Sequence, residues 1–257
     1  MKTIEFIPTN YPSDLTDTQW EQVEYLFPQG PNSEHHKRSL LNAVLYLVNN
    51  GCKWRALPHD YPPYSTVHTF YRRARINGLW EKALKEIVGE TRVKAGRNGN
   101  PTYGIIDSQS VKTVYASEER GIDGGKKIKG RKRHIVTDIM GNLLSVVVHA
   151  ANTHDTKSGI EPAKRAFQDY RSIKAFCGDE GYRKSFEEVV KDELKLRVDI
   201  SKKIQPTFVI IPKRWVVERT FAWMGHSRRL SKDYEITTVS AEAMVRISHL
   251  HTLLRRF

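Results

Sequence analysis

The sequence predicts an α/β domain built on a mixed sheet, preceded by a small helical domain. Three observations lead there. Two short apolar runs, Tyr103-Gly104-Ile105-Ile106-Asp107 and Ala175-Phe176-Cys177-Gly178-Asp179, each end on a carboxylate and then turn polar. That is the pattern of a buried strand delivering an acid to a surface. Residues 133–138 and 143–149 are two further apolar runs joined at Gly141-Asn142, a hairpin signal. Before residue 94 the apolar positions recur at helical spacing instead.

Residues 1–14 read as a polar arm marked by Pro8, Pro12 and Asp14. Thr16-Asp17-Thr18-Gln19 fits a capping box, in which Thr16 and Gln19 satisfy each other's orphan amides at a helix start. This helix runs through Trp20, Val23 and Leu26 to Pro28. A second, about 36–50, carries Leu41, Val44, Leu45 and Val48 on one face and ends at Gly51, a suitable C-terminal cap. After a proline-rich connection come helices over 65–76, bearing Arg72, Arg73 and Arg75, and over 79–92. Helix, turn and arginine-bearing helix is the layout of a helix-turn-helix DNA reader, and equally of a small bundle with a solvated basic face. Residues 94–101 hold two glycines, two asparagines and a proline without periodicity, so a linker there divides a helical domain, 15–93, from a second domain, 102–257. Beyond the hairpin the pattern predicts a helix at 158–170, the strand at 175–179 and a helix at 186–194. Residues 195–212 look irregular, with strand character at 208–211, and helices at 213–229 and 239–255 finish the chain.

The formal charge of +13 singles the chain out, because such an excess favours polyanions through counterion release. Cys52 and Cys177 lie far apart and in no Cys-x-x-Cys arrangement, which argues against a disulfide framework or a structural zinc site. The first residues lack the apolar core of a signal peptide, and no run approaches the roughly 18 apolar residues of a membrane span. The expectation is a cytoplasmic protein that acts on something negatively charged.

Three acids carry the chemistry: Asp107 and Asp179 at strand ends, and Glu218 on the helix at 213–229. On that helix Val217, Phe221 and Met224 form the apolar stripe, while Glu218 shares its face with Arg214, Ala222 and Gly225. Hard divalent ions take oxygen ligands, and two such ions about 4 Å apart can serve phosphoryl transfer. Other readings fit the same residues: an Arg214–Glu218 helix ion pair, and Asp107 as a turn cap. The run from Lys126 to Arg133 holds six Lys or Arg in eight positions and leads straight into an apolar strand. We read it as a phosphate-contacting patch, with a solvated loop as the alternative. His134, His149 and His154 lack metal-ligand spacing and read as structural or as phosphate neighbours.

These stretches also fall into longer motifs. They are Leu15-Thr16-Asp17-x-Gln19-Trp20, Trp54-Arg55-Ala56-Leu57-Pro58, Ile106-Asp107-Ser108-Gln109-Ser110-Val111-Lys112 and Gly130-Arg131-Lys132-Arg133-His134. Further on come Ala150-Ala151-Asn152-Thr153-His154-Asp155, Gly178-Asp179-Glu180-Gly181-Tyr182 and residues 214–223, Arg214-Trp215-Val216-Val217-Glu218 onward. With them the chain resembles bacterial insertion-sequence transposases of the DDE type, in the insertion-sequence-five group, over about residues 15–240. The resemblance implies an RNase H-like mixed-sheet catalytic domain behind a helix-turn-helix-like DNA-binding domain. It implies Asp107, Asp179 and Glu218 as an acidic triad holding two Mg2+ (or Mn2+) ions.

The resemblance further implies metal-dependent cleavage at the element's ends and strand transfer into target DNA. The partners it implies are double-stranded DNA, as terminal inverted repeats and target, and a second copy, as a homodimer on DNA in the bacterial nucleoid. The family signature Tyr-x2-Arg-x3-Glu-x6-Lys is met by Arg214 and Glu218, while Ile211 and Gly225 replace its tyrosine and lysine; Arg228 and Arg229 lie close by. The expected DNA-contacting set is Lys126, Lys127, Lys129, Arg131, Lys132, Arg133, Arg214, Arg228 and Arg229, with Arg72, Arg73 and Arg75. A catalytically silent DNA-binding derivative, or a metal-dependent nuclease that never joins DNA, are the rival readings.

Overall fold

The structure, a computed structural model, describes residues 5–30, 33–201 and 212–257, with the side chains of 212–214 left out. Strand β1 (Tyr103–Lys112) is the centre of the sheet. It pairs antiparallel with β3 (Ile128–Thr137) and parallel with β5 (Ala175–Gly178). On the far side of β3 lie β4 (Leu143–Ala150) and the short β2 (Gly121–Asp123), both antiparallel to it; β6 (Arg197–Ile200) adds parallel to β5. The hairpin between β3 and β4 turns at Gly141, whose φ of 84° suits glycine. Asp138 fastens that turn, accepting from the amides of Met140 (2.8 Å) and Asn142 (2.9 Å).

Three strands differ from the sequence expectation. β1 runs on past Asp107 to Lys112 because its polar second half stays hydrogen-bonded to β3 through Lys112↔Gly130, so Asp107 stands in mid-strand. β3 begins at Ile128, so part of the basic run is strand, not loop. β6 forms where an irregular segment was expected, because β5 offers it an open parallel edge. The strand expected at 208–211 lies outside the described residues.

The helices follow their sequence signals closely. The capping box closes as expected over α1 (Asp17–Glu21), which gives way to a 3-10 turn at Glu24–Leu26. α2 (Lys37–Asn50) stops at Gly51 in the left-handed conformation, φ 70°. α3 (Tyr64–Ile76) and α4 (Leu79–Lys94) complete the helical region. The single helix expected at 158–170 is two, α5 (Asp155–Ser158) and α6 (Ile160–Asp169); α7 is Ser185–Asp192. α8 (Pro212–Gly225) ends at Gly225, a 3-10 turn follows at Arg228–Leu230, and α9 (Thr238–Leu254) closes the chain.

α9 is buried on nearly every face and packs on α2, α4 and β4 together. One core therefore runs from Leu15 to Leu254 through both the helical region and the sheet. Polar ties reinforce it: Arg92 pairs with buried Asp138, and Arg75 donates to Ser240 Oγ at 2.6 Å. Residues 94–101, expected as a linker, fold back on α4, with the Arg97 amide on the Arg92 carbonyl (2.9 Å) and Arg92 Nε on the Asn98 carbonyl (2.8 Å). Among the described residues no helix is long and apolar enough to cross a membrane.

Candidate active site

β1 and β5 run in register from Tyr103↔Ala175 to Ile105↔Cys177, so two residues further on Asp107 and Asp179 come level. Both line one small cavity with Ile105, Ile106, Cys177, Gly178 and Ser201. The carboxylates are half-buried, and the Ser108 amide donates to Asp107 Oδ1 at 2.7 Å. The sequence placed both acids on strands; the parallel pairing is what brings them together.

Asp179 leaves β5 on a tight turn that its own carboxylate caps, Oδ1 accepting from the Gly181 amide at 2.8 Å. Tyr182 anchors the turn from below. Its ring lies against Gly178, where a Cβ would meet ring atoms at 2.8 Å, which explains the glycine ahead of the aspartate. Its hydroxyl is 2.6 Å from His134 Nε2, His134 Nδ1 is 3.0 Å from His149 Nε2, and His149 Nδ1 is 3.0 Å from the Ala150 carbonyl. A carbonyl only accepts, so His149 carries its proton on Nδ1. Its Nε2 then accepts from His134 Nδ1–H, and His134 Nε2 accepts from the Tyr182 hydroxyl. Burial, then the neighbouring His149, hold the His134 pKa down to about 3; burial and then Asp107 raise that of the Tyr182 phenol. The chain stays neutral and rigid. Its histidines are structural, while His154 is exposed at the start of α5.

Successive side chains alternate across the sheet. Ser108, Lys132 and His134 accordingly share one face, where Asp155 accepts from Ser108 Oγ (3.0 Å) and Lys132 Nζ (3.0 Å). Sequence reasoning gave Asp155 no role; the only signal was its place in the motif at 150–155. Asp107, Arg131 and Arg133 share the other face. There Arg133 donates to the Leu230 carbonyl at 2.7 Å, and α8 packs on β1 and β3. Thr220 Oγ1 and Arg219 Nη2 each donate at 2.8 Å to the carbonyls of Gly141 and Met140, fixing α8 against the hairpin turn. Glu218 is exposed on α8. Among the described residues no three His, Cys, Asp or Glu side chains gather closely enough to hold a metal ion, so the structure groups the two aspartates and not the full triad. The pair itself fits a hard divalent ion, being two carboxylates side by side, one in mid-strand on β1 and one just past the end of β5.

The expected DNA-contacting residues divide. Lys126, Lys127, Lys129, Arg228, Arg72 and Arg73 are exposed. The three lysines sit on or beside the turn between β2 and β3, and Lys126 Nζ reaches the Ser108 carbonyl at 3.5 Å, next to Asp107. Five others turn inward. Arg131 is buried on Asp233 and backbone carbonyls, Arg133 on backbone carbonyls, Lys132 on Asp155 and the Thr153 carbonyl, Arg229 on Glu235 and the Cys52 carbonyl, and Arg75 is half-buried on Ser240. Strand alternation and internal acceptors claim them, so these five correct the expected DNA-contacting set. The Arg214 side chain lies outside the described residues.

A family model described as "Transposase DDE domain" matches residues 98–253. The chain belongs to the DDE transposase family. A second model, "Putative transposase of IS4/5 family", matches residues 15–84. The chain is 30% identical over 115 residues to a Burkholderia cepacia protein named "Putative transposase for insertion sequence element IS402"; the match spans 41% of this chain and 54% of that one. It is 26% identical over 117 residues to "Uncharacterized protein y4sN" of Sinorhizobium fredii, 44% of this chain and 87% of the relative. No solved structure matches. The mixed sheet with its flanking helices is the RNase H-like fold of such insertion-sequence transposases, whose DDE domains generally use divalent metal ions.

Proposed function

We propose that this transposase cuts DNA at the ends of an insertion sequence and joins the freed ends to target DNA, with Asp107, Asp179 and Glu218 as its acidic triad. The observation that carries this reading is the side-by-side placement of Asp107 and Asp179 on parallel strands, within a family defined by such acids. Asp107 and Asp179 would hold Mg2+ or Mn2+, two ions in the full site, and Glu218 would be the third ligand, carried by a helix that packs on β1. Bound there, the ions supply the positive charge that stabilises the attacking and leaving oxygens of an in-line displacement at phosphorus.

The protein's own contribution is position and charge. Tyr182 and the neutral histidines behind it hold the Asp179 turn, and the Arg133 tie holds the segment after α8 on the Asp107 face. Lys126, Lys127 and Lys129 present cations beside the site to the scissile strand's phosphates. Arg228 adds to the phosphate contacts. The helical region, 15–93, reads the terminal repeats, with Arg72 and Arg73 on the exposed face of α3. The change of family model between residues 84 and 98 supports that division. Synapsis of two ends makes the working form a homodimer on double-stranded DNA, in the bacterial nucleoid.

The test is a strand-transfer assay with pre-cut element ends and a supercoiled target in magnesium. Covalent joining products are expected. Cutting without joining at any divalent ion or end sequence favours a plain nuclease, and end binding without either reaction favours a silent derivative.

A further inference from the structure

Beside the face of α8 that carries Glu218, the helix presents a second feature that the proposed chemistry does not use. Arg219 lies between two indoles, its Cζ 4.5 Å from the Trp215 ring centre and 4.7 Å from that of Trp223. Arg256, from the C-terminal end of the chain, covers Trp223 at 4.6 Å. Aromatic and guanidinium groups thus alternate in one column, Trp215, Arg219, Trp223, Arg256, beside an open cavity lined by Met140, Arg219, Trp223, Thr252 and Arg256.

Three properties make this column more than packing. Trp215 at its end is 44% exposed, so its indole is accessible to a stacking partner. Neither Arg219 nor Arg256 forms an ion pair among the described residues, and Arg219 Nε is buried without a hydrogen-bond partner. Finally, both cations lie against the same ring. Burial and then Arg219 lower the Arg256 pKa, and the acid that offsets this, Asp138, is already paired with Arg92. Two uncompensated guanidiniums at an open cavity call for an anion, and a free indole face calls for a flat partner.

We infer that this column binds an unpaired stretch of a DNA strand, a base stacking on Trp215 and a phosphate bridging Arg219 and Arg256. Duplex DNA meets the phosphate requirement alone, because its base faces are stacked inside the helix; only an unpaired nucleotide satisfies both groups. The column begins three residues before Glu218 and includes its immediate neighbour, so the strand would be held by the same helix that carries Glu218. The inference deepens the proposed transposase reading by naming the form of DNA taken on this side of α8.

The experiment compares the affinity of the full-length protein for a fluorescein-labelled 15-mer of deoxythymidine and for a 15-base-pair duplex, by anisotropy at several salt concentrations. Trp215→Ala is expected to weaken single-strand binding about tenfold, the effect of removing one base stack, with duplex affinity within about twofold of wild type. Trp215→Phe should recover most of that affinity. Arg256→Gln should lower the single-strand salt slope by about 0.7, the value of one neutralised phosphate. Equal weakening on both DNAs, or no change on either, overturns the inference, and matched thermal unfolding curves separate these results from misfolding. Cleavage of element ends is scored independently. A protein that cuts normally but shows no single-strand preference at Trp215 defeats this inference alone, and one that binds as expected without cutting defeats only the transposition reading.

Discussion

Arg131 and Asp233 form an ion pair of 3.1 Å between side chains that solvent hardly reaches. The same guanidinium donates to the carbonyls of Glu118 (2.9 and 2.6 Å), Glu235 (2.9 Å) and Ile236 (2.7 Å), so nearly every donor it owns is used. It is a clamp that holds residues 233–236 onto β3. Arg131→Ala would leave a buried aspartate and several carbonyls unpaired, at a cost of about 3–5 kcal/mol. Urea unfolding should show that loss, against a change within about 0.5 kcal/mol for Lys127→Ala at the exposed turn.

The turn lysines have the opposite signature. Removing Lys126, Lys127 and Lys129 together is expected to leave the urea midpoint nearly unchanged. The salt slope of duplex binding should fall by about 0.9 for each phosphate that the turn no longer neutralises. An unchanged slope would remove this turn from the DNA path.

Tyr182→Phe tests the support beneath Asp179. The variant loses a 2.6 Å bond to a fully buried histidine and leaves His134 Nε2 without its donor. The expected cost is about 1–3 kcal/mol in urea, with cleavage slowed by more than the unfolded fraction explains, because the Asp179 turn loses its anchor. Cleavage equal to wild type would make the Tyr182 chain a stability device only.

Acid should destabilise the protein through its buried histidines. Burial holds His249 down to about 3, and its Nε2 must remain unprotonated to accept from the Leu143 amide at 3.0 Å. His134 is held down to about 3 as well, by burial and then His149, and His251 to about 4, chiefly by burial. Their folded pKa values lie below the ordinary 6.5, so the unfolded chain binds more protons. Stability is then full above about pH 6.5 and falls as the pH drops toward the folded values, by up to about 1.4 kcal/mol per pH unit for each histidine. In His249→Gln the slope of unfolding free energy between pH 6 and 5 should be shallower by roughly one such contribution.

The strands that carry Asp107 and Asp179 were legible because a run of four apolar residues before a carboxylate leaves few other readings. The hairpin at Gly141-Asn142 and the caps at Thr16 and Gly51 were legible for the same reason: each is a local device. What escaped the sequence depends on distant partners. Ser108-Gln109-Ser110 looks like loop until β3 supplies its hydrogen bonds. Arg131 and Arg133 look like surface until the carbonyls of residues 230–236, about a hundred positions later, come to meet them. Tyr182, His134 and His149 lie on three separate stretches and become one hydrogen-bonded chain only through the sheet. Charge in a sequence announces a polyanion partner, but not which of its cations the fold keeps for itself.

The most direct test of the central claim is magnesium-dependent cleavage of supercoiled DNA carrying the element's ends, wild type against Asp107→Asn and Asp179→Asn, with end binding measured alongside. The account predicts that each substitution abolishes cutting while binding stays near the wild-type level, since each removes a metal ligand and leaves the DNA-contacting surface intact. Cutting by either variant at the wild-type rate would contradict it.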